Sequence, residues 1–173
     1  MSALLILTAI GDDRPGLVGE LSAAISAHGG NWLESSMARL GGKFAGIVQV
    51  AVALETAAAL QAALAALPNL KVTCETSAPL AAPGGRRLKL SLVGHDRIGI
   101  VREVAHVLAR HAVNVEELTT RTSSAPMSAA ILFHAEAELL AAPDLDAGAL
   151  TAELERISND LMVDITLDET IRR

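Results

Sequence analysis

Leu7-Thr-Ala-Ile-Gly-Asp-Asp-Arg-Pro-Gly-Leu-Val-Gly-Glu20 returns 83 positions later as Leu90-Ser-Leu-Val-Gly-His-Asp-Arg-Ile-Gly-Ile-Val-Arg-Glu103. At the same offset His28 meets His111, Asn31 meets Asn114 and Glu34 meets Glu117. An internal repeat of this kind means two copies of one supersecondary unit, so the 173 residues read as two small domains. We place the first at 1–77, a linker at 78–86 and the second at 87–173. Each half buries only a modest core, so the halves are expected to pack together or the chain to dimerise.

Outward from the repeat, hydrophobic periodicity gives the elements. Leu4 to Ile10 is a short apolar run that stops at Gly11, the pattern of a central strand. Leu17, Val18, Leu21 and Ile25 form one helical stripe, which Gly29-Gly30 ends. Asn31 to Leu40 and Lys43 to Leu54 read as a hairpin closed at Gly41-Gly42, with Phe44, Val48, Val50 and Val52 in period two. A helix from about Thr56 to Ala66 carries Leu60, Leu64 and Leu67 and ends at Pro68. Val72, Cys74 and Thr76 then alternate as a last strand.

The second half repeats the order. Its strand Leu88 to Val93 precedes a helix with Ile100, Val101, Val104 and Leu108. Strands Asn114 to Thr122 and Met127 to Glu138 follow, then a helix with Leu150, Leu154 and Ile157 behind a cap at Asp146. Leu161, Val163, Ile165 and Leu167 alternate as the last strand. The linker's Ala-Pro-Leu-Ala-Ala-Pro-Gly-Gly composition opposes regular structure. A β-α-β-β-α-β order folds most simply into an antiparallel four-stranded sheet with both helices on one face. The fold class is therefore α+β, two ferredoxin-like units in tandem.

Composition excludes several functions. Aromatic residues make up 2% of the chain and the net charge is -6, which opposes direct nucleic-acid binding through stacked bases or clustered cations. Recognition of RNA by a sheet of this layout needs exposed aromatics, and Phe44 and Phe133 are the only phenylalanines. The single cysteine, Cys74, excludes a disulfide framework and a CxxC motif, and a reducing cytoplasm fits. No apolar run approaches the ~18 residues of a membrane helix, and Leu4 to Ile10 lacks a basic leader, so the chain reads as soluble and intracellular. The histidines show no zinc spacing, and no cofactor or metal is expected.

The duplicated Gly-x-Asp-Arg-x-Gly turn is the candidate site: Gly11, Asp13, Arg14 and Gly16 in the first half, Gly94, Asp96, Arg97 and Gly99 in the second. Glycines let the backbone turn and approach a ligand, and the helix start that follows offers free N–H groups suited to a carboxylate. Asn31 and Asn114, heading the next strands, can both donate and accept. The sequence alone places them beside the turn, where the set suits a zwitterion such as a free amino acid. A plainer reading stands next to it. Asp13 and Asp96 also suit helix caps, Arg14 and Arg97 ion pairs with Glu20 and Glu103, and the asparagines tight turns. His28 and His111 suit helix C-termini.

On the Gly-x-Asp-Arg-Pro-Gly turn and the element order, the chain resembles the ACT-domain family of small-molecule-binding regulatory modules. The resemblance covers nearly the whole chain as two copies with no appended catalytic domain. It implies a protein without catalytic activity that senses an amino acid, glycine being the candidate, and acts by contact on a separate regulator of transcription. By the same resemblance, ligand sites lie where two such units meet, which puts Gly11 to Gly16 of one unit near Asn31 or Asn114 of its neighbour. The second copy departs from the pattern: Ile98 stands in place of Pro15, His95 in place of Asp12, and Ala112-Val113 in place of Gly29-Gly30. Two other readings stay open here. One is a structural interaction module without an effector. The other is a small acylphosphatase-like enzyme using Arg14 with Asn31, although the glycine-rich phosphate cradle is missing.

Overall fold

A computed structural model describes residues 2–78, 84–125 and 130–169. The chain divides into two compact units, Met1–Ala81 and Ala82–Arg173. The first unit runs β1 (Ser2–Asp12), α1 (Leu17–Ala27), β2 (Asn31–Leu40), β3 (Lys43–Ala53), α2 (Leu54–Ala65) and β4 (Lys71–Ser77). The second runs β5 (Arg86–His95), α3 (Ile100–Arg110), β6 (Asn114–Ser124), β7 (Ile131–Ala141), α4 (Ala147–Leu161) and β8 (Val163–Glu169). Each unit holds one antiparallel four-stranded sheet, ordered β2-β3-β1-β4 and β6-β7-β5-β8. The first strand of each repeat is therefore central.

Side-chain alternation explains why each sheet has one buried face. Leu5 and Leu7 of β1 and Val48, Val50 and Val52 of β3 point to a core closed by Leu17, Leu21 and Ile25 of α1 and Leu60 and Leu64 of α2. Burying a side chain of this size contributes roughly 1.5–3 kcal/mol. The second unit builds its core from Leu88, Leu90 and Leu92, with Val104 and Leu108 of α3 and Leu150, Leu154 and Ile157 of α4. There β7 supplies Ala135, Ala137, Leu139 and Ala141. The smaller alanines leave an apolar recess of about 40 Å³ beneath α3, lined by Val115, Leu118 and Phe133 among others. In the first unit the corresponding edge strand packs Trp32 and Met37 against the core.

Helix ends follow local chemistry. At the end of α1, Gly30 N–H donates to the Ile25 carbonyl and Gly29 N–H to that of Ser26, with Gly29 at φ 69°. At the end of α3, Val113 donates to Leu108 and Ala112 to Ala109, with Ala112 forced to φ 53°. The hairpin β2-β3 closes through Gly41 and Gly42 at φ 58° and 78°, the left-handed pair a two-residue hairpin turn needs. Both sheets carry an irregularity at the same place in their edge strand, between Trp32 and Glu34 and between Val115 and Glu117.

Some expectations are corrected. Leu161 is the last residue of α4, not the first of a strand; the left-handed Met162 (φ 51°) separates helix from strand. Arg86 opens β5 and does not belong to the linker, since its guanidinium donates to Glu169 of β8 and to the Leu145 carbonyl. The expected start of a strand at Met127 lies outside the described residues, and β7 is described from Ile131. Val18 and Val101, read as part of the buried stripes, are 47% and 45% exposed. They sit one position past the buried Leu17 and Ile100, on the side of the helix that faces out.

Candidate functional site

The corner between β1 and α1 is set by three backbone demands. Gly11 pairs with Phe44 across the sheet, and a Cβ on it would lie 2.3 Å from the Asn69 carbonyl oxygen. Asp13 N–H then donates to the Gly42 carbonyl at 2.9 Å, tying the turn to the hairpin tip. Gly16, at φ 96°, ends the turn and stands as the N-cap of α1 with no side-chain cap. The first intrahelical bond is Glu20 N–H to the Gly16 carbonyl, which leaves the N–H groups of Leu17, Val18 and Gly19 at the helix start without a helix acceptor.

The second corner repeats this geometry. Gly94 pairs with Phe133, and a Cβ on it would meet Val163 Cγ1 at 2.2 Å. Asp96 N–H donates to the Ile131 carbonyl at 2.9 Å, and Gly99, at φ 101°, is the N-cap of α3. Gly11 and Gly94 therefore allow close packing against the chain entering β4 and β8. Asp13 and Asp96 are not helix caps, contrary to the plainer expectation, because each helix starts four residues later.

Charges separate the two corners. In the first, all three charged turn residues are paired: Asp12 with Lys43, Asp13 with Arg39 at 2.5 Å, and Arg14 with Glu20 at 2.5 Å. The Arg14 guanidinium holds the Glu20 carboxyl below the usual glutamate range, and Lys43 does the same for Asp12. In the second, Glu103 is taken by Arg102 at 2.8 Å instead of by Arg97, and Arg102 holds its carboxyl low. Asp96 and Arg97 make no ion pair among the described residues.

Register overturns the placement of the asparagines beside the turn of their own unit. Asn31 pairs with Ala51, and Ala51 pairs with Leu4, seven residues along β1 from Gly11. At about 3.3 Å per residue that is roughly 23 Å, the length of the sheet. Asn114 pairs with Leu140, which pairs with Arg87, seven residues from Gly94. Within one unit, then, Asn31 and Asn114 head the opposite end from the turn. Nor do they carry the left-handed turn conformation, which falls on Gly29 and Ala112. Arg14 and Asn31 of one unit cannot converge on a phosphate, which removes the acylphosphatase-like geometry.

What joins the first corner instead is the hairpin tip. A cavity of about 180 Å³ opens at the start of α1, lined by Asp13, Arg14, Gly16, Val18, Gly19 and Phe44. The turn motif does not itself point to Arg39 and Phe44, although counting antiparallel pairs from Gly41-Gly42 brings both to the end of β1. The second corner opens elsewhere, through Arg97 and Ile98 into a cavity of about 350 Å³ shared with α3 and α4. His28 and His111 occupy helix C-caps; the first meets the Ala24 carbonyl and the second meets Glu153. Burial pushes the Cys74 thiol up, away from a reactive thiolate. Among the described residues, no group of three or more His, Cys, Asp or Glu is placed to hold a metal, and no helix is long and apolar enough to cross a membrane.

Comparison with known proteins adds to this geometry. The ACT-domain model matches residues 3–75. The glycine cleavage system transcriptional repressor of Escherichia coli is 24% identical over 161 residues, spanning 91% of this chain and 85% of that protein. Among solved structures, an unknown protein from Galdieria sulphuraria is 30% identical, with a TM-score of 0.85 over 99% of this chain and 100% of that one. A candidate glycine cleavage system transcriptional repressor is 18% identical, with a TM-score of 0.76 over 99% of both chains, a likeness of fold. The second unit repeats the strand order, the helix starts and the edge-strand irregularity of the matched segment. Residues 3–75 match the ACT-domain family and the second unit repeats that fold, so the chain holds two ACT-like folds in tandem.

Proposed function

We propose that this chain is an amino-acid-responsive regulator with no catalytic activity of its own, acting by contact with a separate regulator of transcription. The observation that carries the reading is the uncapped start of α1 beside its cavity, with Gly16 at φ 96° and no side chain filling the acceptor position. Free N–H groups and the positive helix end suit the carboxylate of an amino acid. Similarity to a glycine cleavage system repressor over most of the chain supports the regulatory role and favours glycine as the effector.

Size is consistent with this choice. The cavity of about 180 Å³ is about six times the ~30 Å³ share of one water, enough for the smallest amino acid. Arg14 and Arg39 are held by exposed ion pairs, which are worth little individually, so a ligand carboxylate can compete for them. For a ligand with five heavy atoms, the ceiling of about -1.5 kcal/mol per atom limits the dissociation constant to roughly micromolar at best. That range suits sensing of a metabolite pool. Regulation follows if the ligand binds one conformation of the protein better than another.

Isothermal titration of the full chain with glycine, serine and alanine tests the reading. We expect saturable heat with one of them, lost or weakened in Gly16→Val, whose side chain both strains a φ of 96° and enters the cavity. Asn31→Ala should leave binding at the turn of its own unit unchanged. Flat heats across the common amino acids at millimolar concentration would leave only the interaction-module reading.

A further inference from the structure

We propose that the cleft between α3 and α4 of the second unit binds a small organic polyanion carrying at least two carboxylate or phosphate groups. This goes beyond the amino-acid reading and does not depend on it. The cleft encloses about 350 Å³, nearly twice the cavity at the start of α1, and Arg97, His106, Arg110 and Arg156 line it over the apolar floor of Val107 and Ile157. His106 and Arg110 are one turn apart on α3 and so share a face, and Arg156 meets them from α4.

The first unit shows that the fold does not require these charges. At the repeat offset His106 corresponds to Ala23 and Arg110 to Ala27, while Arg97 corresponds to Arg14, which is spent on Glu20. Internal pairing in the second unit is incomplete. The single Glu153 carboxylate is shared by Arg110, Arg156 and His111, its acidity raised chiefly by the hydrogen bond from His111. Glu103 is occupied by Arg102, and Arg97 has no carboxylate within ion-pair distance among the described residues. Glu103 and Asp160 also line the cleft, two carboxylates against three guanidinium groups and His106.

In a chain of net charge -6, three guanidinium groups gathered on one cleft, two of them sharing a single carboxylate and the third without an ion pair among the described residues, are a focus for anions. Guanidinium groups bind carboxylate and phosphate in paired, charge-assisted hydrogen bonds, which suits a ligand with several such groups better than one with a single carboxylate. The amount of space points the same way: a volume of about 350 Å³ far exceeds what glycine fills.

The test uses the full chain, with inorganic pyrophosphate and citrate as probes in low-salt isothermal titrations. Arg110→Gln combined with Arg156→Gln alters side chains that are 48% and 62% exposed, so the fold is retained, which circular dichroism verifies. Saturable binding of either probe, weakened about tenfold or more in the double variant and weakened by added salt, supports the site. Arg97 is left unaltered because it belongs to the turn as well. A glycine titration of the same double variant reads the amino-acid site separately. Absence of saturable heat with both probes at millimolar concentration, or equal affinity in wild type and double variant, overturns the proposal.

Discussion

The two units share a backbone and spend their side chains differently. Each has a central strand ending in a glycine that packs against its neighbour, a turn tied to the hairpin tip by an aspartate N–H, and a helix that starts on a left-handed glycine. Yet the first corner neutralises every charge of its turn, whereas the second leaves Asp96 and Arg97 without ion pairs among the described residues. The first unit covers its core edge with Trp32 and Met37, whereas the second exposes Val115 and Leu118. Duplication therefore preserved what the chain needs to turn and released what sits on the turn. Conservation of the Gly-x-Asp-Arg-x-Gly motif between the halves reports on geometry first and on a ligand second.

Substituting the strand-end glycines should have the largest effect and shows whether the two corners are equally rigid. In Gly11→Ala the new methyl meets a carbonyl oxygen at 2.3 Å, which cannot rotate away without moving the backbone. In Gly94→Ala it meets Val163 at Cγ1 (2.2 Å), Cβ (2.7 Å) and backbone Cα (2.9 Å), so only part of the obstacle is removed with the valine methyls. Both should lose stability on urea unfolding, Gly11→Ala by about 3 kcal/mol. Only Gly94→Ala should be partly rescued by Val163→Ala, a coupling that a double-mutant cycle measures. Trp32 is the single tryptophan, so its fluorescence reads the first unit while circular dichroism reads both. Equal losses with no rescue would mean that the two glycines meet the same kind of obstacle.

A smaller effect is expected at the helix ends, where one conformation is held by two residue types. Gly29 and Ala112 both take the left-handed position after α1 and α3, at φ 69° and 53°. An L side chain there costs roughly 1–2 kcal/mol, offset in part by the greater freedom of glycine in the unfolded chain. Gly29→Ala should therefore destabilise the first unit by about 1 kcal/mol, and Ala112→Gly should stabilise the second by somewhat less. The midpoint of urea unfolding reads both changes. If Ala112→Gly destabilises, the alanine methyl is in productive contact and the two ends are not equivalent.

These contrasts show what the sequence makes legible. The edge strand Asn31–Leu40 has the bounds that Gly29-Gly30 and Gly41-Gly42 punctuate, because Gly29, Gly41 and Gly42 take positive φ and Gly30 packs where a Cβ would meet Ile25. The repeat itself carried the topology. The end of α4 was hidden, since Leu161 and Val163 continue the period of the following strand although Leu161 lies in the helix and both are buried. Chain adjacency misplaces Asn31 within its unit for a related reason. Adjacency along the chain suggests adjacency in space, but the eleven residues of α1 carry the chain about 16 Å back along the sheet before Asn31 begins its strand. Ion pairs such as Arg39 with Asp13 depend on side chains brought together by the hairpin, and local sequence does not reveal them.

The smallest expected effect concerns the charges and tests whether the second unit depends more on its carboxylates than the first. The Glu153 carboxyl is lowered from its ordinary value first by the hydrogen bond from His111 and then by the charges of Arg110 and Arg156. A carboxylate whose folded value is depressed adds stability above its unfolded value and loses that contribution as pH falls through the folded value. Between about pH 6 and pH 3 the wild-type chain should lose stability at this site, and Glu153→Gln should flatten that part of the curve. Glu20, lowered by Arg14 in the first unit, gives the matching control through Glu20→Gln. Because Glu153 faces three basic partners and Glu20 faces Arg14 with a hydrogen bond from Asn69, the flattening should be greater for Glu153→Gln. A larger change for Glu20→Gln would mean that the paired charges of the first corner matter more to folding than the shared carboxylate beneath the arginine cleft.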